Sequence, residues 1–203
     1  MPGLETERLL LRLPEFRDAS AIATWIGDWD VAKNLASVPH PYRESDAHAF
    51  VGLAAQKRAT GEGFCFSIAR KADGLFLGMC GLALKDGRFE LGYWLGKPFW
   101  GQGYATEAAR KLLSFAFHDL KAVSVWAGFF HDNPASGRVL EKLGCIHDGT
   151  QPRRSLARGH MVYCHMVTLT RENFGRKKAP FDPSASSGLR VTGTHPHAEP
   201  VEA

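Results

Sequence analysis

Apolar residues recur along the chain in two periods, and each period predicts its own kind of element. From about Gly103 to His118 they return every three or four positions with charged residues between them, which predicts an amphipathic helix. Three more helices are predicted at 18–26, 45–59 and 133–143. Short runs rich in branched and aromatic residues predict strands at 9–13, 64–69, 76–84, 89–95, 122–129 and 161–169.

The order of these elements predicts the fold class. Asp73-Gly74 and Asp86-Gly87 separate the second, third and fourth strands, and such pairs form the tight turns of antiparallel hairpins. The long helix separates the strand at 89–95 from the strand that follows, which is typical of a parallel crossover. We therefore predict an α+β fold whose mixed sheet is antiparallel in its first half.

Length and composition indicate one enzyme-sized domain. The chain has 203 residues, of which 44% are hydrophobic and 23% charged, so it can bury a full core. We assign residues 1–174 to this domain. From 175 to 203 the sequence turns to Lys, Pro, Ser, Gly and His, which predicts a disordered tail.

Charge, cysteine and histidine patterns argue against several classes of function. The 25 basic residues are scattered and exceed the 21 acidic ones by only 4, so no nucleic-acid partner is predicted. The four cysteines show no C-x-x-C spacing and the nine histidines no H-x-x-x-H pair, which predicts neither a metal site nor a disulfide. The chain also lacks a signal pattern and an apolar run of roughly 18 residues, which predicts a cytoplasmic protein without a membrane partner.

The strand Leu91–Leu95 is followed closely by Gly101, Gly103 and the start of the long helix. Glycines tolerate positive φ and let a ligand approach the backbone, and a helix N-terminus presents free N–H groups. This arrangement suits a phosphate group, although a turn that merely joins strand to helix is an alternative. A nucleotide P-loop would need Lys and Ser or Thr after the glycines, and a dinucleotide motif a third glycine at Thr106, so both fit poorly.

The segment from Trp100 to Ala105 resembles motif A of the GNAT N-acetyltransferases, Gln/Arg-x-x-Gly-x-Gly/Ala, which wraps the pyrophosphate of acetyl-CoA. Gly103 and Ala105 match its last two fixed positions, whereas Trp100 stands where Gln or Arg is usual. The opening segment 5–12 and the segment 133–144 resemble the first strand and the second cofactor-side helix of the RimJ/RimL-like branch.

This resemblance implies an acetyl-CoA-dependent N-acetyltransferase, with acetyl-CoA as co-substrate and no metal. It implies a mixed, mostly antiparallel sheet with helices on both faces and splayed strands four and five that form the acyl-CoA cleft. The acceptor would be a protein or peptide N-terminus or a small-molecule amine, and the protein a monomer or homodimer. The cofactor-binding residues that it implies are Tyr93, Trp94, Leu95, Trp100, Gly101, Gln102, Gly103, Tyr104, Ala105, Thr106 and Asn133. A non-catalytic acyl-CoA sensor and an interaction module on the same scaffold are the alternatives.

Acyl transfer to an amine needs a proton acceptor, because a lysine-like amine with a pKa of about 10 is protonated at neutral pH. Glu90 opens the strand before the glycine turn and, by period-two alternation, shares a face with Gly92 and Trp94. The resemblance supports Glu90 as the general base, with a solvated glutamate after a turn as the alternative. It also implies an oxyanion donor on the backbone of this strand, around Tyr93 to Leu95.

The leaving thiolate needs a proton or a hydrogen bond. The tyrosine that many relatives carry is replaced here by Leu140, and the RimJ/RimL-like branch implies Ser136 instead. Asn133, Pro134 and Gly144 also suit the cap, the first position and the end of a helix, so helix capping alone is the alternative explanation of this segment.

The resemblance implies that the acceptor binds on the other side of the splayed sheet, at the first two helices and the loop between them. Trp25, Asp28, Trp29 and Tyr42 cluster there in sequence. An acidic group beside aromatic rings can hold a cationic amine through charge and cation–π contact. The alternative is that the tryptophans pack in the core and the aspartate caps a turn.

Overall fold

The strands of the computed structural model belong to one sheet. The structure describes residues 3–175, so all but the first residue of the predicted tail lie outside it. The strands of this range are β1 (Leu4–Glu5), β2 (Leu9–Arg12), β3 (Gly63–Arg70), β4 (Phe76–Lys85), β5 (Arg88–Leu95), β6 (Ser124–Phe130), β7 (Ile146–Arg154) and β8 (Met161–Thr170). The α-helices are α1 (Ala19–Ile26), α2 (Trp29–Ala32), α3 (Glu44–Ala59), α4 (Tyr104–His118) and α5 (Pro134–Leu143).

The sheet has the strand order β1-β2-β3-β4-β5-β6-β8-β7. Every neighbouring pair is antiparallel except β5 and β6, which are parallel and are connected through α4. The predicted α+β class, the meander and the crossover are therefore confirmed. The turn between β4 and β5 has Asp86 at φ 50° and Gly87 at φ 76°, the positive values that a two-residue hairpin requires.

Helices cover both faces of the sheet, as the resemblance implies. On one face α4 buries Ala108, Leu112 and Phe115, and Leu140 of α5 joins the same core. On the other face α1 and α3 supply a second core that includes Ile22 and Val51. The α4 core accounts for the helical period of the sequence, because only one side of that helix contacts the sheet.

Three elements were missing from the prediction: β1, α2 and β7. The strand β7 contains Gly149 at φ 107° and Pro152, and its register to β8 shifts between His147 and Thr150. These residues are typical of turns, yet an edge strand tolerates them because one of its sides needs no ladder hydrogen bonds. Among the strands of residues 3–175, β7 has β8 alone as a neighbour, so it is such an edge strand.

A buried ion pair joins the start of α1 to the sheet. Asp18 is only 4% exposed, and Arg12 donates two hydrogen bonds to its carboxylate at 2.7 and 2.6 Å. Ser67 Oγ and the backbone N–H of Glu15 donate two more, at 2.9 and 3.0 Å. Burial raises the pKa of Asp18, but the hydrogen bonds, led by those from Arg12, outweigh it and hold the pKa below its usual value.

Within residues 3–175, the structure contains no helix with the length and apolar character that a membrane crossing requires. No disulfide joins Cys65, Cys80, Cys145 and Cys164, all of which lie in this range.

Candidate functional site

The sheet opens into a cleft between β5 and β6. The two strands pair only at Phe89 with Val125 and at Glu90 with Trp126, although β5 runs on to Leu95. On its other side β5 stays paired to β4 over its whole length. The splay between strands four and five, which are β5 and β6 when the short β1 is counted, is therefore present.

The backbone of β5 offers hydrogen-bond donors to this cleft. Gly96 N–H donates to Leu77 O of β4 at 2.9 Å, and along an antiparallel pair the bonded residues alternate with residues that point away. The N–H groups of Tyr93 and Leu95 therefore face the cleft, whereas that of Trp94 faces β4. Of the three residues predicted to carry an oxyanion donor, two have the required orientation.

The glycine turn leads from β5 into α4. Gly101 has φ 75° and Gly103 φ 82°, and Gly103 is the N-cap residue of α4. A Cβ built on Gly103 would lie 3.4 Å from Arg8 Nη2. The first N–H groups of a helix lack acceptors within it, so those that follow Gly103 are available to a phosphate group.

Arg8 ties this turn to the edge of the sheet. Its guanidinium pairs with Glu107 in the first turn of α4 at 2.7 Å, donates to Gln102 O at 3.1 Å and lies over the Tyr104 ring at 4.5 Å. Glu107 also accepts hydrogen bonds from Thr6 Oγ1 and Arg8 N–H at 2.5 and 2.9 Å. These contacts neutralise the Glu107 carboxylate, which would otherwise repel a phosphate group near the helix start.

Trp100, which departs from the family motif, has a structural contact of its own. Its Nε1 donates a hydrogen bond to Leu95 O at 2.8 Å and so closes the loop between β5 and the turn. Gln102 Nε2 donates to Pro98 O at 2.9 Å. Sequence reasoning gave Arg8 no role, because its partner Glu107 lies 99 positions away in the chain.

A cavity of about 280 Å³ lies between the glycine turn, β5 and α5. All the predicted cofactor-binding residues except Gln102 line it, and Ser136 does so too. These residues are Tyr93, Trp94, Leu95, Trp100, Gly101, Gly103, Tyr104, Ala105, Thr106 and Asn133. The fold thus brings together three stretches of sequence that the resemblance had assigned to one ligand.

Ser136 is held at this cavity by its neighbours. Its backbone N–H donates to Asn133 Oδ1 at 3.2 Å, so Asn133 caps α5. The Ser136 hydroxyl lies 2.9 Å from Tyr93 Oη. Burial raises the pKa of Tyr93 well above its usual value, so the phenol stays neutral and can donate a proton in a hydrogen bond. The Tyr93 side chain was missed as a possible participant, because its partner comes from another element.

A second cavity, of about 750 Å³, meets the first at Asn34, Leu35, Tyr93 and Trp94. Most of its walls come from α1, α3, the strands β3 to β6 and the segment 34–39, and α5, β7 and β8 contribute one residue each. Of the four predicted acceptor-binding residues, which all lie in the described part of the chain, Tyr42 alone lines this cavity. The two cavities therefore meet at Tyr93 and Trp94 near the end of β5, the first bounded by α4 and α5 and the second mainly by α1 and α3.

The other three predicted acceptor-binding residues line neither cavity in the described range. Trp25 packs edge-on against Phe99 with ring centroids 5.4 Å apart. Asp28 Oδ1 accepts from Asp30 N–H at 2.8 Å and caps α2. Trp29 is 45% exposed and its ring lies 5.2 Å from that of His40. These contacts match packing and capping, and the binding role assigned to the three residues gains no support from geometry.

Glu90 lines the second cavity on the same face of β5 as Gly92 and Trp94. It forms an ion pair with Arg153 of β7 at 2.6 Å and another with Lys85 of β4. Burial raises the pKa of Glu90, but the hydrogen bonds from Arg153 and Lys85 outweigh it and keep the pKa below its usual value. Glu90 is therefore ionised and only 13% exposed, so it is not simply a solvated turn residue.

No group of three or more His, Cys, Asp or Glu side chains among residues 3–175 is arranged to hold a metal ion. The groups that line the two cavities include backbone donors of β5, the hydroxyl groups of Tyr93 and Ser136, and the paired Glu90 carboxylate.

Comparison with known proteins assigns the class. The family model described as "Acetyltransferase (GNAT) domain" matches residues 8–146, well over half of the chain. The chain belongs to the GNAT acetyltransferase family.

Among its relatives is the N-acetyltransferase p20 of Bacillus licheniformis, which is 30% identical over 177 residues, 86% of this chain and 99% of p20. RimJ of Mycobacterium smegmatis, solved in complex with CoA-disulfide, superposes with a TM-score of 0.73 at 20% identity and covers 83% of this chain and 84% of that one. RimL, an acetyltransferase of the ribosomal L7/L12 α-amine solved with coenzyme A, gives a TM-score of 0.74 at 16% identity over 83% of this chain and 97% of that one.

Proposed function

We propose that this acetyltransferase transfers the acetyl group of acetyl-CoA directly to the nitrogen of a primary amine. One observation carries the proposal: the glycine turn at the start of α4 and an open strand edge line one cavity, and a second cavity meets it at Tyr93 and Trp94 of the same strand. The CoA complexes of the RimJ and RimL structures support acetyl-CoA as the donor. Bringing amine and thioester together is itself worth about 7–11 kcal/mol of the barrier.

The donor cavity would hold acetyl-CoA through its backbone. The pyrophosphate binds the N–H groups after Gly103, and the pantetheine arm lies along the unpaired edge of β5. The thioester carbonyl accepts a hydrogen bond from the N–H of Tyr93 or Leu95, which also stabilises the oxyanion that forms during attack. Trp100 contributes by closing the loop rather than by contacting phosphate.

Glu90 would accept the proton that the amine loses. It lies three residues before Tyr93, about 10 Å along the strand, so the proton crosses through water in the second cavity. Its lowered pKa makes it a weak base, and a weak base contributes at the lower end of the usual range for general base catalysis. Once the amine is neutral, its nitrogen forms the new C–N bond and the C–S bond breaks. The second proton that nitrogen loses in becoming an amide passes to the departing CoA thiolate, which leaves as the thiol.

Tyr93 and Ser136 would receive this thiolate. The two hydroxyl groups lie 2.9 Å apart on the wall of the donor cavity. One hydroxyl can therefore donate a hydrogen bond to the thiolate sulfur while the second hydroxyl donates to the first. We expect Ser136→Ala and Tyr93→Phe each to lower kcat by about 10- to 100-fold, the value of a hydrogen bond to a charged group. Ser136→Thr keeps the hydroxyl and is expected to retain activity, measured as thiol release at saturating acetyl-CoA.

The double variant Ser136→Ala with Tyr93→Phe distinguishes a shared role from two separate ones. If the hydroxyls act as a pair, kcat of the double variant is little lower than that of either single variant, because each single substitution already removes the shared hydrogen bond to sulfur. Full activity of Ser136→Ala would contradict the assignment of this residue.

The proposed function is tested by titrating acetyl-CoA calorimetrically and by measuring free-thiol release with peptides that carry a free α-amine, with polyamines and with aminoglycosides. We expect Gly103→Ala to weaken acetyl-CoA binding by about tenfold or more, since a Cβ at φ 82° is strained at the start of α4 and lies 3.4 Å from Arg8 Nη2. Gly74→Ala is the matched control: it has φ 73°, nothing lies within 4 Å of its Cβ, and it lines neither cavity.

The same measurements test the alternatives. Binding of acetyl-CoA without turnover on any amine would favour an acyl-CoA sensor. Failure of the wild-type protein to bind acetyl-CoA would favour an interaction module on a GNAT scaffold. Equal affinities for acetyl-CoA in Gly103→Ala and Gly74→Ala would contradict the assigned cradle.

A further inference from the structure

The second cavity, which would hold the acceptor, has walls that are mostly apolar. Ile22 and Ile26 of α1, Phe50 and Leu53 of α3, and Met79 of β4 all line it. Leu53 is 45% exposed although it belongs to a helix that packs on the sheet. Exposed apolar surface inside a concave site is typical of ligand contact, so these walls suit an apolar body on the acceptor.

The charges of this cavity are unfavourable to a second cation. Its charged lining residues in the described part of the chain are the carboxylates Asp46 and Glu90 and the cations Lys57, Lys85 and Arg153, which leaves one net positive charge. Both carboxylates are already engaged. Asp46 accepts from Arg43 N–H at 2.8 Å as a helix cap, and Glu90 is paired with Lys85 and Arg153.

Lys57 stands apart from these pairs. None of the ion pairs found within residues 3–175 includes Lys57. It follows Leu53 by four positions on α3, and residues at this spacing lie on the same face of a helix. The face that lines the acceptor cavity thus carries an exposed apolar side chain followed by a positive charge.

From this lining we infer that the acceptor is a primary amine on an apolar body that carries no second positive charge. Resting on the proposed function, the inference names the substrate class of its acceptor cavity. The reacting amine enters as an ammonium ion and loses its proton before attack, whereas a second ammonium would stay charged and find no unengaged carboxylate on these walls. Polyamines and aminoglycosides are thereby disfavoured, and a peptide with an apolar first residue or an apolar monoamine is favoured.

The test compares three acceptors of matched length: hexylamine, 1,6-diaminohexane and 6-aminohexanoate, which differ mainly in the charge of the far end. We expect kcat/KM to be about 10- to 30-fold lower for the diamine than for hexylamine. This is the cost of placing the second ammonium about 8 Å from the net positive charge of the lining at an effective dielectric constant of 20. The aminohexanoate is expected to react at least as well as hexylamine, because its carboxylate meets a net positive lining.

Lys57 variants supply the matched control. Lys57→Gln removes the net charge of the cavity and Lys57→Glu reverses it, while neither touches Glu90. We expect the ratio of kcat/KM for diamine to that for hexylamine to rise from wild type to Lys57→Gln and again to Lys57→Glu. An unchanged ratio across the three proteins would overturn the inference.

The remaining outcomes separate this inference from the proposed function. A wild-type diamine rate equal to or above that of hexylamine overturns the substrate class and leaves the acetyltransferase standing. Calorimetric binding of acetyl-CoA without turnover of any monoamine or peptide with an apolar first residue also overturns the substrate class. Failure to bind acetyl-CoA overturns the proposed function itself.

Discussion

Replacing Glu90 with glutamine is expected to lower kcat by about 10²-fold while the affinity for acetyl-CoA stays unchanged. A general base contributes roughly 10²- to 10⁴-fold, and one whose pKa lies far below the operating pH contributes least. We expect Glu90 to contribute at the lower end of this range, because Arg153 and Lys85 hold its pKa below the usual value despite burial. The measurement is steady-state thiol release at saturating acetyl-CoA, with calorimetry for the affinity.

Lys85→Gln provides the control for this variant. Removing one of the two cations allows the pKa of Glu90 to rise, so a base at this position gains strength and kcat should hold or increase. If Glu90 served only to balance the charges of Lys85 and Arg153, its glutamine variant would raise KM for a cationic acceptor and leave kcat intact. A lowered kcat would support the general-base role, and a raised KM with intact kcat would support the charge-balancing role.

The pH profile follows from the same pKa direction. A carboxyl group with a lowered pKa is already ionised above its usual value of about 4.5, so Glu90 does not titrate between pH 6 and 9. In the wild-type protein kcat/KM should therefore rise with pH toward the pKa of the acceptor amine. A limb that titrates near neutral pH and disappears in Glu90→Gln would contradict the lowered pKa.

Asp18→Ala is expected to lower the free energy of unfolding by about 3–5 kcal/mol, the cost of removing one partner of a buried ion pair. Its carboxylate accepts from Arg12, Ser67 and Glu15 N–H and is 4% exposed, so the substitution leaves Arg12 without its carboxylate partner. Equilibrium unfolding in urea measures the loss. Ser67→Ala removes one hydrogen bond and should cost about 1 kcal/mol.

A double variant and the pH dependence separate the ion pair from simple packing. Arg12→Met with Asp18→Leu removes both charges and is expected to recover much of the loss, since no unpaired charge remains. Because the folded pKa of Asp18 is lowered, its contribution is present above the unfolded value of about 3.8 and is lost as pH falls through the folded value. A loss below about 1 kcal/mol in Asp18→Ala would contradict the role.

Particular elements show how far the sequence could predict this structure. The helix α4 and the meander were predicted within one or two residues, because helical period and Asp-Gly turns are local properties of the backbone. The strand β7 was missed, since Pro152 and Gly149 are typical of turns and only its place at the sheet edge makes them acceptable.

The candidate site divides in the same way. The positive φ of Gly101 and Gly103 follows from residue type and position, so the cradle could be recognised in the sequence. The partners of Glu90 could not, because Arg153 reaches it from β7, which was not predicted as a strand. The sequence alone could not distinguish a ligand-binding role for Asp28 and Trp25 from helix capping and core packing. Their contacts, with Asp30 N–H and with the Phe99 ring, come from the folded chain.

By itself the sequence determined the family, the order of the elements that it predicted and the glycine turn before the long helix, since these depend on residues close together in the chain. Only the tertiary structure decided that β5 and β6 separate after Glu90, that Tyr93 meets Ser136, and that two cavities join at the end of β5. The physical reason is that the reactivity of a side chain depends on its burial and on neighbouring charges. Those neighbours come from distant parts of the chain, and only the folded sheet brings them together.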